Sequence, residues 1–326
     1  MKDILDASTD WQQQRRQLTI RAAWLYYIGG HTQDQIAARL KLSRPAVQRL
    51  IARTVEEGIV KFRIDHPLAD CLELASRLAG HYGLTYAEVV PASGGNDGLN
   101  GIAIAAANRI ETHLAAREPL TIAIATGRAL RAAVSQVQRM ERPQHTIVSM
   151  IGNISHDGRA SRYDVVMRLA ERAGAACYPM LAPVVTRTAA ECRVLLEQPA
   201  VQTIHRLAGQ ARAAFVGIGH LDDDAPLFVD GFITRDELKM LRDDKAVGEL
   251  CGWFFDADGK ILKTALHDRQ VAVPLGALPA GVLTGVAVGR HKIAAIAGAL
   301  RGRLVSELIT DEQTARELLK PGTSRK

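Results

Sequence analysis

Apolar positions recur with helical spacing between Thr32 and Leu40, where Ile36, Ala37 and Leu40 fall on one face. Thr32 suits an N-cap, because its hydroxyl can accept a hydrogen bond from a free amide of the first turn. Gln35, three residues on, completes a capping box. The pattern predicts a short amphipathic helix that begins directly after Thr32.

A second helix follows after a tight break. Lys41 and Leu42 form the break. Ser43 can cap the next helix, and Pro45 sits in its first turn, where a missing amide costs little. The predicted inward face of that helix carries apolar residues and the outward face polar ones: Val47, Leu50 and Ile51 against Arg44, Gln48, Arg49 and Arg53. Such a pair is typical of a helix-turn-helix, whose second helix lies in the DNA major groove. The alternative is a pair of ordinary helices with a solvated basic face.

Residues 15–66 are predicted to form one winged helix-turn-helix domain after a frayed leader at 1–14. Leu18, Ala22, Leu25, Tyr26 and Tyr27 predict a first helix that Gly29 and Gly30 terminate. Trp24 and the two tyrosines lie beside Leu25 and Ile28, so packing in the core is favoured over a role as a base-stacking platform. After Gly58 the alternating segment IVKFRID predicts a strand or hairpin arm, with Lys61 and Arg63 directed at phosphates.

A linker helix is predicted over 67–85, after His66 and Pro67 break the preceding pattern. Its apolar stripe consists of Leu68, Leu72, Ala75, Leu78 and Ala79. The helix can pack onto the following domain or pair two protomers, and the two roles are compatible.

Short apolar runs alternate with helical stretches from residue 86 to the C-terminus. The strand-like runs are AEVV, LTIAIA, TIVSMI, ACYPML, AAFVGI and GVLTGVAV. The helices are predicted over 100–116, 128–139, 162–173, 198–208, 291–301 and 311–319. Strands that are apolar at every position indicate a parallel sheet covered on both faces. The predicted fold is therefore α/β, a Rossmann-like, doubly wound and mostly parallel sheet over 86–326.

Ligands of such sheets bind beyond the carboxyl ends of the strands. Four of these ends carry glycine, which lets backbone amides approach an anion closely. Arg128, Arg290 and Lys292 would add positive charge. Each loop alone can be an ordinary turn, but four converging loops predict a site for a phosphate or a polyhydroxylated ligand: Thr126, Gly127 and Arg128; Gly152 and Asn153; Gly217, Ile218, Gly219 and His220; and Gly289 to Lys292.

Positive charge is concentrated near the N-terminus. The chain has 326 residues, 47% of them apolar, and a net charge of +6. Between Arg15 and Arg63, ten basic residues stand against three acidic ones, a local net charge of +7, so the remainder is close to neutral. A field concentrated at one end attracts a polyanion, whereas evenly spread charge would indicate only solubility. The length suffices for more than one domain.

The sequence predicts no metal site, disulfide framework or cofactor. The 4 cysteines and 10 histidines are scattered without ligand-like spacing. We also expect a soluble, cytoplasmic protein without a membrane partner, because we find neither a signal peptide nor an apolar run of membrane-spanning length.

Several segments resemble the SorC family of sugar-binding transcriptional regulators. They are TQDQIAARLKLSRPAVQRLI at the front, VGIG at 216–219, GELCGWFFDADG at 248–259 and GVAVGRHKIAAIAGALRGRLVSELITDEQTA at 285–315. The resemblance implies a winged helix-turn-helix joined to a domain that looks like ribose-phosphate isomerases and glucosamine-phosphate deaminases. It also implies homo-oligomers, dimers or commonly tetramers, whose binding to double-stranded operator DNA responds to a carbohydrate or its phosphate.

The resemblance also implies which residues bind the effector. The family's loops correspond to Thr126–Arg128, Gly152 with Asn153, Gly217–His220, Asp256 and Lys292. Many members have a Gly-Trp-Gly-Arg-Thr type of loop after the second strand, whereas this chain has ATGRAL. Arg128 is kept but the aromatic side chain and the final hydroxyl are absent, so a neutral polyol or sugar competes with a phosphate.

An isomerase-like domain raises the alternative of a sugar-phosphate isomerase or deaminase with an appended DNA-binding domain. Such enzymes need a carboxylate that moves a proton beside a carbonyl, often with a histidine. His220 and the three aspartates Asp222 to Asp224 follow a strand, but consecutive aspartates are more typical of a solvated loop. Asp256 can bind ligand hydroxyls or belong to a hairpin turn. We therefore expect no catalytic residues.

The favoured interpretation is a ligand-controlled DNA-binding regulator. Arg44, Gln48 and Arg49 are predicted to read base edges, because the N-terminal half of a recognition helix meets the groove floor. Ser43, Arg53, Lys61 and Arg63 are predicted to contact phosphates. The complete predicted DNA-binding set is Thr32, Gln33, Ser43, Arg44, Pro45, Gln48, Arg49, Arg53, Lys61 and Arg63.

Overall fold

The chain divides into two compact units, residues 1–65 and residues 66–326. The computed structural model describes residues 15–60, 69–92, 98–155, 158–159, 161, 165–279, 281 and 283–320. The predicted leader and the predicted wing with Lys61 and Arg63 lie outside these residues.

The first unit contains three helices: α1 at residues 15–28, α2 at Gln33–Leu40 and α3 at Arg44–Glu56. The predicted caps are confirmed. The Thr32 hydroxyl accepts from the Gln35 amide while the Gln35 side chain accepts from the Thr32 amide. Ser43 accepts from the Ala46 amide and caps α3. Lys41 ends α2 in the left-handed conformation, at φ 55°, and so turns the chain sharply between the two helices.

The core of the first unit is small. Its fully buried side chains are Ala22, Ile36, Val47, Ile51 and Ala37, which confirms the predicted inward faces of α2 and α3. The prediction for α1 was wrong in part, because Trp24 is 64% and Ile28 68% exposed. The last five residues of α1, Trp24–Ile28, form a π-helical turn, which changes the angular spacing that the prediction assumed.

The second unit begins with α4, Ala69–Tyr82. This helix lies within the predicted range 67–85, and it packs onto the sheet of the second unit through Cys71, Leu74 and Leu78. Its role as a linker stays a prediction. Leu72, which the prediction placed on the buried stripe, is 55% exposed. The neighbouring Cys71 is buried in its place. The Tyr82 hydroxyl donates to the Leu318 carbonyl oxygen at 2.9 Å.

A seven-stranded sheet forms the centre of the second unit. Its strands are β1 Tyr86–Val90, β2 Thr121–Ile124, β3 Thr146–Ser149, β4 Ala176–Tyr178, β5 Ala213–Gly217, β9 Leu283–Val286 and β10 Glu307–Asp311. They lie in the order β1-β10-β9-β5-β2-β3-β4, and every neighbouring pair is parallel. The parallel α/β prediction is confirmed. Ile122, Ala123 and Ile124 are all buried, because the sheet is covered on both faces.

Helices connect these strands. They are α5 Gly98–Leu114, α6 Arg128–Gln136, α7 Val166–Ala173, α8 Ala189–Leu196, α9 Pro199–Ala208, α10 Pro226–Val229, α11 Arg235–Asp243, α12 Ile293–Arg301 and α13 Glu312–Leu318. Six of them were predicted. α8, α10 and α11 were missed, as was a three-stranded antiparallel sheet of β6 Gly219–His220, β7 Gly248–Leu250 and β8 Trp253–Phe255.

A close backbone contact holds the C-terminal end of α12 in place. Gly259 has φ +77°, and a Cβ atom there would overlap the Gly298 carbonyl oxygen and lie 2.5 Å from the Gly302 Cα. Gly231 has nearly the same backbone conformation, φ +76°, but a Cβ atom there would meet nothing within 4 Å.

We predict that Gly259→Ala destabilises the second unit more than Gly231→Ala does. Both variants force alanine into a left-handed conformation, which costs about 1 kcal/mol, but only the first must also push two backbone segments apart. The expected losses are about 1 kcal/mol for Gly231→Ala and about 2 to 4 kcal/mol for Gly259→Ala. Chemical denaturation measures both, and equal losses would contradict the packing argument.

Candidate functional site

α3 presents a polar, positively charged face. Arg44, Pro45, Gln48 and Arg49 are exposed, while Val47 and Ile51 anchor the helix from behind. The structure therefore places the predicted base-reading residues on one accessible helix face. Of the other predicted DNA contacts, Thr32 and Ser43 are exposed at helix starts, and Gln33 and Arg53 are half-buried.

The arginines on this surface form ion pairs that are weak enough for a DNA phosphate to replace. Arg44 Nη1 lies 3.6 Å from Asp34 Oδ2, and both side chains are about two-thirds exposed. Arg53 pairs with Glu57 one turn further along α3. Exposed pairs of this kind contribute roughly 0 to 1 kcal/mol, so a phosphate can replace either carboxylate partner.

The four predicted ligand loops follow four neighbouring strands. In the sheet order, β9, β5, β2 and β3 are consecutive, and their carboxyl ends lie at the same edge because all pairs are parallel. The chain winds outward from β2 through β3 to β4 and then returns to β5 on the other side of β2. The β2–β5 boundary is therefore the topological switch point, where ligands of open α/β sheets bind.

Three of these loops meet. A Cβ atom on Gly217 would lie 3.9 Å from the Thr126 carbonyl oxygen, across the switch point. The Lys292 Nζ donates to the Ile218 carbonyl oxygen at 2.9 Å. The imidazole rings of His220 and His291 pack edge to face with centroids 4.6 Å apart. The loops after β2, β5 and β9 thus lie against one another at this edge.

Gly127 leaves the start of α6 open. Its φ of +137° strongly favours glycine, and it occupies the N-cap without a side chain to accept from the first-turn amides. Those amides, together with the positive end of the helix dipole, favour an anion or a hydroxyl oxygen. Arg128 is exposed beside them.

Lys292 is the cation of the opposite loop. Gly289, at φ +119°, precedes a short 3-10 turn over Arg290–Lys292 that leads into α12. Burial lowers the pKa of the Lys292 ammonium; the Glu249 carboxylate opposes this effect and the Arg128 guanidinium adds to it. An anionic ligand would relieve the repulsion between the two cations.

Glu249 is a site residue that the sequence did not reveal. It lies on β7 opposite Gly219, and a Cβ atom on Gly219 would overlap its carboxylate. The Gly252 amide donates to Glu249 Oε2 at 2.7 Å. Burial raises the pKa of Glu249, while that hydrogen bond and Lys292 lower it. Apart from the family resemblance, the sequence GELCGW gives no signal of a role for Glu249.

His220 is 4% exposed. The Asp222 amide donates to its Nδ1 at 3.3 Å, and burial lowers the pKa of the imidazole, with His291 and Lys292 acting in the same direction. His220, Asp222 and Asp224 form a group whose possible metal-ligating atoms lie within 4.8 Å of one another. Because the Nδ1 lone pair already accepts the Asp222 amide, this geometry suits orientation of the ring better than metal binding.

Gly152 and Asn153, in the predicted loop after β3, have other surroundings. Gly152 faces the loop at 182–183, where a Cβ atom would lie 2.6 Å from the Ala182 carbonyl oxygen. Asn153 beside it is buried, at 3% exposure, and its backbone N–H donates to the same Ala182 carbonyl oxygen. Close backbone packing therefore accounts for the glycine at 152.

Asp256 lies in the turn after β8. Its Oδ1 accepts from the amides of Asp258 and Lys260, and its carbonyl oxygen lies near Gly298 in α12. Gly298 is six positions beyond Lys292 in the sequence, about 9 Å along the helix axis. One carboxylate oxygen of Asp256 therefore belongs to the turn, and its contact with an effector stays a prediction.

Within the described residues, each helix is too short or too polar to cross a membrane.

Known proteins resemble this chain over most of its length. The family described as "Putative sugar-binding domain" matches residues 66–320, and the MarR family matches residues 22–67. The erythritol catabolism regulatory protein EryD of Brucella abortus is 36% identical over 304 residues, which cover 93% of this chain and 96% of EryD. The deoxyribonucleoside regulator of Bacillus subtilis is 31% identical over 313 residues, covering 94% of this chain and 98% of that protein.

A solved structure extends the likeness to the fold. The full-length sorbitol operon regulator SorC from Klebsiella pneumoniae is 27% identical and superposes with a TM-score of 0.73, covering 93% of this chain and 98% of SorC. The relatives are transcriptional regulators, which favours regulation over catalysis for this fold.

We predict that the second unit loses stability as the pH falls. The folded state lowers the pKa of His220 below the ordinary value of 6.5, so below that pH the unfolded chain binds more protons and unfolding is favoured. The stability is complete above pH 6.5 and is lost as the pH falls toward the lowered pKa.

Thermal unfolding between about pH 7.5 and 5.5 tests this dependence. His220→Asn keeps an acceptor near the position of Nδ1 but cannot take up a proton, so its melting temperature should fall less with pH than that of the parent. An identical fall in both proteins would exclude His220 as a contributor.

Proposed function

This chain belongs to the SorC family of sugar-binding transcriptional regulators, and we propose that a sugar, polyol or sugar phosphate bound at the carboxyl edge of the seven-stranded sheet controls its operator binding. The observation that supports the proposal is the meeting of three loops at the switch point, where Lys292 donates to the loop after β5 and Arg128 at the open start of α6 is near enough to act on the pKa of Lys292. Residues 15–66 would bind DNA, 67–85 would connect the domains, and 86–326 would bind the effector.

We propose that Arg44, Gln48 and Arg49 read base edges. They are exposed on the helix that follows the turn, and Ser43, Pro45 and Arg53 border them. Thr32 and Gln33 at the start of α2 are positioned to support phosphate contacts. Lys61 and Arg63 remain predicted phosphate contacts on sequence grounds alone.

For the effector, we propose that Thr126, Gly127, Arg128, Gly217, Gly219, His220 and Lys292 form the site, with Glu249 beside them. Backbone amides and hydroxyl-accepting groups suit a polyol, and two cations suit a phosphate. The name of EryD refers to erythritol catabolism, which makes a small polyol or its phosphate the first class to test.

Regulation further requires differential binding. An effector changes DNA affinity only if it binds one state of the protein more tightly than another, and the coupling is reciprocal. We propose that the protein acts as a dimer or tetramer, because helix-turn-helix proteins commonly bind two half-sites related by a two-fold axis.

We predict that Arg49→Ala lowers operator affinity by about 1 to 3 kcal/mol if Arg49 reads a base, since a lost bidentate contact leaves a base edge unread. Arg206→Ala removes the same charge from an exposed position on α9 and should leave affinity unchanged. Fluorescence anisotropy on operator and random duplex measures both. An equal loss on random DNA would assign Arg49 to phosphate binding.

We predict that a thermal-shift panel of sugars, polyols and their phosphates identifies an effector that raises the melting temperature of the second unit, because binding to the folded state alone stabilises it. Lys292→Met should reduce that shift and the effector's influence on DNA binding, while leaving DNA binding without effector intact. Lys263→Met, at an exposed position, is the matched control.

Two results would count against these proposals. An unchanged dose response in Lys292→Met would remove Lys292 from the site. Sustained turnover of a pentose or hexosamine phosphate by the parent protein would favour the enzyme instead.

A further inference from the structure

α13 contacts both the effector loop and the linker helix. Near its start, the Thr314 hydroxyl accepts a hydrogen bond from the Gly289 amide at 3.1 Å. At its end, the Leu318 carbonyl oxygen accepts from the Tyr82 hydroxyl of α4 at 2.9 Å. We propose, resting on the function proposed above, that Thr314 is a positioning residue of the effector site and that α13 links this site to α4.

The Gly289 backbone determines where Lys292 lies. The Lys292 amide donates to the Gly289 carbonyl oxygen at 3.0 Å, so the two residues form one tight turn. Thr314 holds the amide of the same glycine. Thr314 is 2% exposed, and its own amide donates to Asp311 Oδ1 at 2.8 Å. Through Thr314, one part-buried and one buried hydrogen bond therefore connect the Lys292 turn to the end of β10.

A second contact between the same elements is weaker. With the Gln313 amide oriented so that its oxygen faces Arg290, that oxygen accepts from Nη2 at 2.7 Å and from Nε at 2.9 Å. Both side chains are exposed, so water can replace either partner at little cost. Thr314 differs, because its side chain is buried and removal of its oxygen leaves the half-buried Gly289 amide without this acceptor.

The buried face of α13, which also carries Thr314, packs into the same core as α4. Ala315 and Leu318 share that core with Cys71, Leu74 and Leu78. Burial raises the pKa of the Cys71 thiol, and the Glu312 carboxylate raises it further, which places the start of α13 beside the start of α4. α4 is the first described element after the DNA-binding unit, so a shift of the Lys292 turn has a packed route to the interdomain connection.

Hydrogen exchange of the full chain, read by mass spectrometry without DNA or effector, tests the link. Thr314→Val keeps the branched shape of the side chain but removes the acceptor. Exchange should become about fivefold or more faster in two segments, Gly289–Lys292 and α4. Thr314→Ser restores the hydroxyl and should restore slow exchange in both. Thr112→Val removes a hydroxyl that bonds only within α5 and should change neither segment.

Three outcomes would overturn the proposal. Unchanged exchange at Gly289–Lys292 in Thr314→Val would show that Thr314 does not position the turn. Faster exchange there with α4 unaffected would show that α13 is no link. Failure of Thr314→Ser to restore slow exchange would show that the hydroxyl is not responsible. Because the measurement needs neither ligand, its failure is independent of a failure to bind operator or effector.

Discussion

Parallel pairing of the seven strands is the constraint on which the effector unit depends. Strands that run in one direction bring all their carboxyl ends to one edge, and the connecting helices must then cover both faces. The reversal of strand order at β2 and β5 opens a crevice at that edge. Glycines 127, 217 and 289 then let backbone groups approach the crevice, and the position of the site follows from the topology before any charged residue is considered.

Burial and neighbouring charges act in opposite directions on the pKa values of the ionisable groups at this edge. Lys292 loses hydration as it packs against Ile218, and this lowers its pKa and favours the neutral form. The nearby Glu249 carboxylate partly opposes this effect. Glu249 is affected in the opposite sense, since its own burial favours protonation. The two groups thus moderate each other, and Arg128, which is exposed, contributes repulsion that a bound anion would cancel. An anionic ligand at the proposed site would therefore reduce the repulsion between Lys292 and Arg128.

The sequence predicted the elements that follow from periodicity and capping. Thr32, Ser43 and the apolar faces of α2 and α3 obey local rules, so the helix-turn-helix could be predicted, and the long apolar runs gave six strands of the parallel sheet. Prediction failed where pairing between distant segments decides structure. β6 and β7 have two and three residues, too few for a periodic pattern, and the place of Glu249 depends on their pairing. Trp24 was assigned to the core because a π turn has no signal in residue spacing. Asp256 was assigned to the effector by resemblance, and the sequence did not show that one of its carboxylate oxygens also accepts two amides of its own turn.

The glycine contact at the far end of α12 limits how the effector loop can respond. Gly259 touches Gly298 and Gly302 with no side chain between them, and such backbone contact leaves no room for the helix to slide along its axis. The opposite end of α12 follows the turn that carries Lys292. If that turn were to shift, α12 would have to tilt about the glycine contact, and a small rotation there would displace Lys292 the most.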